Sequence, residues 1–329
     1  MKAIVAVVAS CALLTIGLRA SPGRAQWLNA SGPLEARVTA LDAAPNSLFA
    51  ATDGAGILLS TSLVSWLPLN IGLTNRHVSG VVRSAHLTHH LAAGTLGSGV
   101  FSSWDNGATW WSSSWGLTDT TVRTMASIAD SYMGTVYFVG TDSGVFRANA
   151  LPWAWRAVNV GLTQRAIRAF CFFFEGGDEN DGIGGNDLLA GTNGGGVFLS
   201  GDGVSWWPKN EGLSNPFVTA LAASSSYMVT FAGTAGGGVF RSTTNWGGWT
   251  AINSGLANLS ITALATFGST VFAGTAGGGV FVAANDGFSA WNEANTGLTD
   301  LTVNALATDG TYLFAATSSG VFRRALSEL

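Results

Sequence analysis

Four basic residues are the strongest chemical signal in the sequence. Arg123 and Arg168 occupy the same position in two neighbouring copies of a sequence repeat, where other copies carry Thr, Ser or Asn. His77 and Arg165 lie close to the equivalent position, in turns of the same kind. Guanidinium and imidazolium groups gathered in one place can bind an anionic ligand group, so these four are the candidate ligand-binding residues. The alternative, which we favour, is that each of them pairs with a neighbouring carboxylate of the protein.

Acidic residues predicted near these turns raise the question of glycoside hydrolysis. That chemistry requires two carboxylates about 5–10 Å apart. The candidates are Glu35, Asp119, Glu211, Glu293 and Asp300. They belong to different repeats and no spacing singles out a pair. The sequence therefore favours solvated loop carboxylates, and we predict no catalytic residues.

Two further clusters contain metal-ligating side chains. The stretch 175–187 is rich in Asp, Glu and Gly and could bind Ca²⁺ through its oxygen atoms, but it lacks the regular spacing that aims ligands at one point. A flexible acidic loop is the alternative that we favour. His86, His89 and His90 fall at a predicted hairpin turn, and zinc requires three or four converging ligands. We expect exposed imidazoles there, and we predict neither a metal nor a cofactor.

An internal repeat positions all of these residues. Seven copies of a sequence like FAGTAGGGVF follow one another along the chain, and each is preceded by a segment like VTALA. Every copy except the last is followed by a Trp and, six residues later, by a Gly. The Trp residues are Trp66, Trp110, Trp155, Trp206, Trp249 and Trp291, and the glycines are Gly72, Gly116, Gly161, Gly212, Gly255 and Gly297. The constant distance indicates a rigid unit whose length varies only in its loops.

The repeat predicts the fold. Each copy contains four short segments, here called strands a, b, c and d, that are rich in β-branched and aromatic residues and bounded by Gly, Asn, Asp and Ser. Four strands in roughly 43 residues is the spacing of a propeller blade. We therefore predict an all-β fold at residues 26–329, a seven-bladed β-propeller with four-stranded antiparallel blades. The predicted blades are 35–73, 74–117, 118–162, 163–213, 214–256, 257–298, and 299–329 together with 26–34.

The ends of the chain are predicted to meet in the last blade. The seventh repeat lacks its Trp-Gly-Leu segment, which occurs instead as Trp27, Gly32 and Leu34. An N-terminal strand that completes the last blade would leave the ring without an open seam. The repeated Trp residues are expected to be buried in the blades. The Trp residues outside this pattern are candidates for exposed aromatic platforms: Trp104, Trp111, Trp115, Trp153, Trp207 and Trp246.

One repeat carries a complete motif before its Trp. Residues 103–110, SWDNGATW, match the Asp-box pattern S-x-D-x-G-x-T-W. On this motif the chain resembles β-propellers with bacterial-neuraminidase (BNR) repeats. It is also similar to exported GTxGGGVF-repeat propellers and, more loosely, to photosystem II assembly-factor-like propellers. The resemblance implies structural roles for Ser103, Asp105, Gly107 and Trp110. It implies no particular activity, because Asp-boxes occur in sialidases, other glycosidases, receptors and scaffolds alike, and the F/Y-R-I-P motif of sialidases is absent.

The first 25 residues have the features of a secretory signal peptide. A basic residue precedes an apolar run at 3–18, and small residues precede a cleavage point after Ala25. Cleavage after Ala20, a retained anchor and lipidation of Cys11 are the alternatives. No other apolar run has the length of a membrane span, and the single remaining cysteine, Cys171, excludes an internal disulfide. We predict a secreted or periplasmic monomer.

Composition limits the class of partner. Only 10% of the residues are charged and the net charge is −4, so there is no basic stripe for nucleic acid. The favoured function is an exported, non-catalytic binding or scaffold module that presents its d–a and b–c loops to a protein or a carbohydrate. A glycoside hydrolase on the same scaffold is the alternative.

Overall fold

The chain forms the predicted seven-bladed β-propeller. The computed structural model describes residues 26–30, 36–130, 134–149, 154–174, 183, 186–224, 228–243, 248–286 and 289–329. Within these ranges the strands form seven antiparallel sheets of four strands each. Several predictions fall outside the described residues: the leader 1–25 with Cys11, and Glu35, Trp153, Trp246 and residues 175–182 of the acidic stretch.

The strands follow one another in chain order within each blade, starting after β1 (Leu28–Asn29). Blade 1 contains β2 (Arg37–Ala44), β3 (Ser47–Asp53), β4 (Ile57–Ser60) and β5 (Leu67–Pro68). Blade 2 contains β6 (Val78–Arg83), β7 (Leu91–Thr95), β8 (Gly99–Ser103) and β9 (Trp111–Ser112). Blade 3 contains β10 (Thr124–Asp130), β11 (Gly134–Gly140), β12 (Val145–Asn149) and β13 (Arg156–Ala157).

The next three blades have the same composition. Blade 4 contains β14 (Ile167–Phe174), β15 (Asn186–Thr192), β16 (Gly196–Ser200) and β17 (Trp207–Pro208). Blade 5 contains β18 (Val218–Ser224), β19 (Val229–Thr234), β20 (Gly238–Ser242) and β21 (Thr250–Ala251). Blade 6 contains β22 (Ile261–Phe267), β23 (Thr270–Thr275), β24 (Val280–Ala284) and β25 (Asn292–Glu293).

The seventh blade joins the two ends of the chain, as predicted. It contains β26 (Val303–Thr308), β27 (Tyr312–Thr317) and β28 (Gly320–Ala325), and its strand d is β1. Leu28 pairs with Arg323, and Asn29 pairs with Phe322. A short 3-10 helix, Leu326–Glu328, follows β28. In the part of the chain that the structure describes, no helix has the length and apolar character to cross a membrane.

Strand a is the innermost strand of every blade. The seven strands a contact one another around a central channel, and strand d lies on the outer circumference. Strand b lies between neighbouring blades and is buried along nearly all of its length, which explains its continuous apolar sequence. Strand a is also largely apolar, but it mixes buried with half-buried residues because it borders the channel.

The hydrophobic core is divided among the junctions between blades. The cluster between blades 2 and 3, for example, combines Val100 with Val122, Phe146 and Trp155. A blade therefore buries its apolar side chains only against its neighbours, as in other repeat proteins.

A Trp residue closes each junction on its outer side. Between blades 4 and 5, the backbone N–H of Trp249 donates to the carbonyl of Glu211 (2.8 Å), and its indole Nε1–H donates to the carbonyl of Lys209 (2.7 Å). We call this pair of hydrogen bonds the indole clamp. It recurs with the same spacing at Trp27, Trp110, Trp155, Trp206 and Trp291.

The indole clamp explains why a Gly follows each Trp at a constant distance. Gly212 has a φ of +79°, and a Cβ added there would lie 2.2 Å from the carbonyl oxygen of Trp249. Added at the equivalent glycines, a Cβ would lie within 2.6 Å of the carbonyl oxygen of the next Trp: Gly72, Gly116, Gly161, Gly255 and Gly297. A residue with a side chain would therefore push the neighbouring blade away.

Trp66 departs from the pattern. Its side chain is half-buried, and its buried Nε1 has no hydrogen-bond acceptor among the described residues. By the spacing of the other clamps, the acceptor would be the carbonyl of Ala30, just after β1. The junction between blades 7 and 1, where the chain ends meet, therefore lacks the indole bond.

Replacing Gly212 tests the clamp. Gly212→Ala and the control Gly236→Ala both place a side chain at positive φ, and that strain costs about 1–2 kcal/mol. No atom lies within 4 Å of a Cβ at Gly236, whereas the one at Gly212 strikes Trp249. We expect Gly212→Ala to lower the free energy of unfolding by about 2 kcal/mol more than the control does, as measured by urea denaturation. Equal losses would contradict the proposed role of the glycine.

Replacing Trp206 and Trp66 by Phe tests the weak junction. Trp206→Phe removes a hydrogen bond of 2.7 Å to the carbonyl of Val158 and leaves that acceptor unpaired, which costs about 1–3 kcal/mol. Trp66→Phe removes an indole N–H that has no acceptor. We expect the first substitution to lower the melting temperature clearly more than the second, measured by calorimetry. The opposite order would refute the assignment.

Candidate functional site

The mouth of the central channel is shaped by a β-bulge at the start of strand a. In blade 1, Val38 pairs with Thr52 and Ala40 pairs with Ala51, so Thr39 is an extra residue between them. The same shift of register occurs in blades 2, 4, 5, 6 and 7. Bulges of this kind redirect a side chain away from the regular sheet. The residues at this position are Thr39, Ser79, Arg168, Thr219, Thr262 and Asn304, with Arg123 at the equivalent place in blade 3.

In three blades this residue ties neighbouring blades together. The hydroxyl of Thr39 donates to the carbonyl of Val78 (2.6 Å), and that of Thr219 donates to the carbonyl of Ile261 (2.6 Å). Thr262 makes the same bond to Val303. The position is therefore part of the framework in those blades.

Blades 3 and 4 place arginines there, and the structure brings the two together on one carboxylate. Arg123 donates from Nη2 (2.7 Å) and Nε (3.2 Å) to Oδ2 of Asp142. Arg168 donates from Nη1 to Oδ1 of the same residue (2.7 Å). We call these three residues the Arg–Asp–Arg cluster. The carboxylate pairing that we weighed as the alternative thus occurs for both arginines.

The cluster keeps a positive charge in excess, because two guanidinium groups share one carboxylate. The hydrogen bond from Arg123, with help from Arg168, lowers the pKa of Asp142 below its ordinary value against the effect of partial burial. Asp142 stays ionised at neutral pH. Since all three side chains are at least 30% exposed, the arginines can exchange part of their contacts for those of an incoming anion.

His77 and Arg165 do not join this cluster. Nδ1 of His77 lies 2.5 Å from Oδ1 of Asp53, at the junction of blades 1 and 2. Arg165 is exposed, and its backbone N–H donates to the side chain of Gln164. The candidate residues therefore form two separate groups on this face, plus one exposed arginine.

Sequence reasoning missed the acidic partners, although the repeat contains the signal. Asp53 and Asp142 each directly follow the repeated Thr near the end of strand b, Thr52 or Thr141. Other copies carry Leu, Asn, Ala or Ser after this Thr. This position lies beside the start of strand a of the next blade. An acid at the end of strand b followed by a base at the start of the next strand a would have predicted both pairs.

The acidic residues considered for catalysis have other surroundings. Asp119 accepts the backbone N–H groups of Thr121 (3.0 Å) and Ser143 (3.1 Å). Burial opposes the ionised form of Asp119, but these hydrogen bonds prevail and its pKa is lowered. Asp300 caps its own turn by accepting the N–H of Thr302 (2.8 Å).

Two glutamates complete this set. Glu211 is exposed, and its backbone carbonyl belongs to an indole clamp. Glu293 was predicted near the d–a turns, but it lies in β25 on the outer edge of blade 6, because strand d continues past the Trp. In the described part of the chain these carboxylates do not form a facing pair.

The histidine cluster differs from its prediction. His86 and His89 are exposed, but His90 is 2% exposed because it directly precedes the buried strand b of blade 2. Its Nδ1 lies 2.8 Å from the hydroxyl of Tyr137, and its ring lies 4.1 Å from that of Trp104. Burial lowers the pKa of His90 to about 4. Among the described residues, no three metal-ligating side chains come together, and the calcium hypothesis for 175–187 falls largely outside them.

The hairpin 103–110 is held by hydrogen bonds among its own residues. Oδ1 of Asp105 accepts the hydroxyl of Ser103 (2.7 Å) and the N–H of Thr109 (2.8 Å). Gly107 has a φ of +88° and donates its N–H to Ser103 (2.7 Å). Hydrogen bonds from Thr109 lower the pKa of Asp105. These four residues, together with Trp110 in its indole clamp, hold the c–d turn of blade 2.

The fold is shared with solved structures of unrelated activities. No protein-family model matches the chain, and no curated protein sequence is significantly similar to it. The chain is similar to the extracellular domain of the proposed one-component system BT4673 from B. thetaiotaomicron (TM-score 0.70, 17% identity, 92% of this chain and 40% of that one). It is also similar to the GH74 xyloglucanase from Xanthomonas campestris (0.69, 17%, 92% and 54%) and to Sqt1 from Saccharomyces cerevisiae (0.63, 12%, 88% and 95%).

These likenesses establish the propeller fold. At identities of 17% and below, a shared propeller carries no activity with it. The chain spans 40% of the first of these proteins and 54% of the second.

The buried His90 predicts a pH-dependent stability. The folded state keeps His90 neutral down to about pH 4, whereas an unfolded chain protonates it near pH 6.5. Protons thus bind the unfolded state first, and stability falls as the pH decreases from 6.5 to 4, by about 1–3 kcal/mol. We expect His90→Phe to flatten this part of the curve of melting temperature against pH. His89→Phe, at an exposed site, is the control, and an unchanged slope in His90→Phe would refute the assignment.

Proposed function

We propose that the protein is an exported, non-catalytic binding module for a protein or a glycan. Its binding face is the end of the propeller where the d–a and b–c turns surround the channel mouth. The observation that carries this proposal is the Arg–Asp–Arg cluster, in which Arg123 and Arg168 share Asp142 and retain excess positive charge. The module would take an anionic group of its partner at this point.

The state of the nearby carboxylates supports binding rather than hydrolysis. A general acid requires a raised pKa so that it stays protonated near neutral pH. The pKa values of Asp119 and Asp142 are instead lowered by hydrogen bonds. Asp119 and Asp300 accept backbone N–H groups in turns, which favours a structural role for both. Glycoside hydrolysis remains the alternative function, and the xyloglucanase likeness concerns the fold.

Export, processing and family belong to the same proposal. The leader features of residues 1–25 support secretion or a periplasmic location, and the structural neighbour from B. thetaiotaomicron is itself named as an extracellular domain. The bonding of Ser103 and Asp105 supports an Asp-box hairpin of the BNR type. We propose a monomer without a cofactor.

The channel-mouth proposal predicts a charge-dependent affinity. The purified protein would be screened on an array of neutral and acidic glycans and against acidic peptides. For an anionic ligand found in this way, Arg123→Gln and Arg168→Gln should each raise the dissociation constant about tenfold to a hundredfold. The reason is that a hydrogen bond to a charged group contributes about 1.5–3 kcal/mol. Arg156→Gln, on the exposed strand d of blade 3, is the control.

Two results would overturn the proposal. One is equal binding by both channel-mouth variants and the control. The other is turnover of a chromogenic glycoside that disappears in Glu211→Gln or Glu293→Gln, which would make the protein an enzyme.

A further inference from the structure

The polarity of the outer circumference differs from blade to blade. The difference is clearest at two positions, the first and the fifth residue after the repeated Trp. Blades 5 and 6 carry polar residues there: Thr250 with Ser254, and Asn292 with Thr296. Blade 2 carries Trp111 with Trp115, and blade 1 carries Leu67 with Ile71.

The two Trp residues of blade 2 are unusually accessible for their size. Trp111 is 65% exposed and Trp115 is 73% exposed. They lie four residues apart, Trp111 in β9 and Trp115 in the turn that follows, where the N–H of Leu117 donates to the carbonyl of Ser114 (2.9 Å). We call Trp111, Ser113 and Trp115, with the backbone between them, the aromatic strip.

The backbone of the aromatic strip is bound by Trp155 of blade 3. The indole of Trp155 donates to the carbonyl of Ser113 (2.7 Å), and its backbone N–H donates to the carbonyl of Trp115 (2.9 Å). The hydroxyl of Ser113 lies 2.6 Å from that of Ser102. The backbone of the strip is thus fixed to blade 3 by the indole clamp, which reduces the backbone entropy that would be lost on binding.

The strip and the neighbouring segment of blade 1 carry no charge, whereas on the blade 3 side Arg156 directly follows the Trp155 that binds the strip. The segment 106–118 contains no ionisable residue, and neither does the facing segment 61–75 of blade 1. Strand β9 pairs with β8 on one side and is the edge strand of its sheet. An edge strand offers backbone N–H and C=O groups to a ligand. The strip therefore combines two aromatic faces, hydroxyls and backbone polar groups without an ion.

From this we infer a second binding site: the aromatic strip of blade 2 binds a neutral polysaccharide chain. The apolar faces of two sugar rings would stack on Trp111 and Trp115, since an indole presents a large apolar face and a polar edge. Sugar hydroxyls would bond to Ser113 and to the backbone edge. The strip itself contains no ionisable side chain that would attract a charged polymer, and a polymer chain can lie across both platforms.

This site is independent of the channel mouth. It lies on the outermost strand of blade 2, whereas Arg123 and Arg168 lie at the starts of innermost strands. It also selects a neutral ligand, whereas the channel mouth selects an anionic one. Either proposal can fail without the other.

Affinity electrophoresis tests the strip. The purified protein would be run in native gels that contain hydroxyethylcellulose, galactomannan or soluble starch, and in a gel without polysaccharide. We expect at least one of the neutral polymers to retard the protein. Trp111→Ala and Trp115→Ala should each raise the dissociation constant derived from the retardation at least fivefold, with an unchanged melting temperature because both side chains are on the surface.

The matched control is Trp207→Ala. Trp207 occupies the same position in blade 4 as Trp111 in blade 2 and is 52% exposed, but its partner position carries Glu211 rather than an aromatic residue. Retardation of Trp207→Ala and of Arg168→Gln should equal that of the wild type. The inference is overturned if no neutral polymer retards the protein, or if both strip variants are retarded as strongly as the wild type. It is also overturned if light scattering shows a dimer that the strip variants dissociate, because a second copy would then cover the strip.

Discussion

The indole clamp is the interaction on which the rest of this structure depends. A blade of the propeller has a strand d with only two paired residues, and its apolar side chains find partners only in the adjacent blades. At six of the seven junctions, as far as the structure describes them, two hydrogen bonds from a Trp fasten this short strand to the preceding blade. Because the neighbouring Gly allows the backbones to approach so closely, the clamp also sets the spacing between blades, and with it the diameter of the channel.

The functional surfaces are variations on positions that the framework already uses. The residue at the bulge of strand a links blades through a hydroxyl in three copies, and two copies replace this hydroxyl by an arginine. The fifth residue after six of the Trp residues offers its carbonyl to the clamp whatever its side chain is, so Trp115 can extend into solvent while its backbone remains bound. Repetition thus fixes the backbone and leaves the side chains at these positions available for recognition.

Much of the architecture was predictable because the repeat is a pattern of residue types. The Trp and Gly spacing predicted the blades, and the displaced Trp27 predicted which strand closes the ring. The bulge of strand a was not predictable, since Thr39 and its equivalents read as ordinary strand residues. The sharing of Asp142 depends on two blades meeting, which no single repeat reveals. His90 was misjudged because a histidine close to two exposed ones gives no indication that it directly precedes a buried strand.

The pairing of β1 with β28 governs the order in which the molecule can fold. The backbone of Trp27 joins the wheel by a bond to Thr296, and its indole reaches Ala294 across a separation of 267 residues. The partners of Trp27 are therefore not available until almost the last repeat has been synthesised. Contacts between residues so distant in sequence make folding slow, and during that interval a row of strand edges stays open to other chains. Six blades can assemble as they are synthesised, but the propeller becomes a single cooperative unit only when β1 pairs with β28.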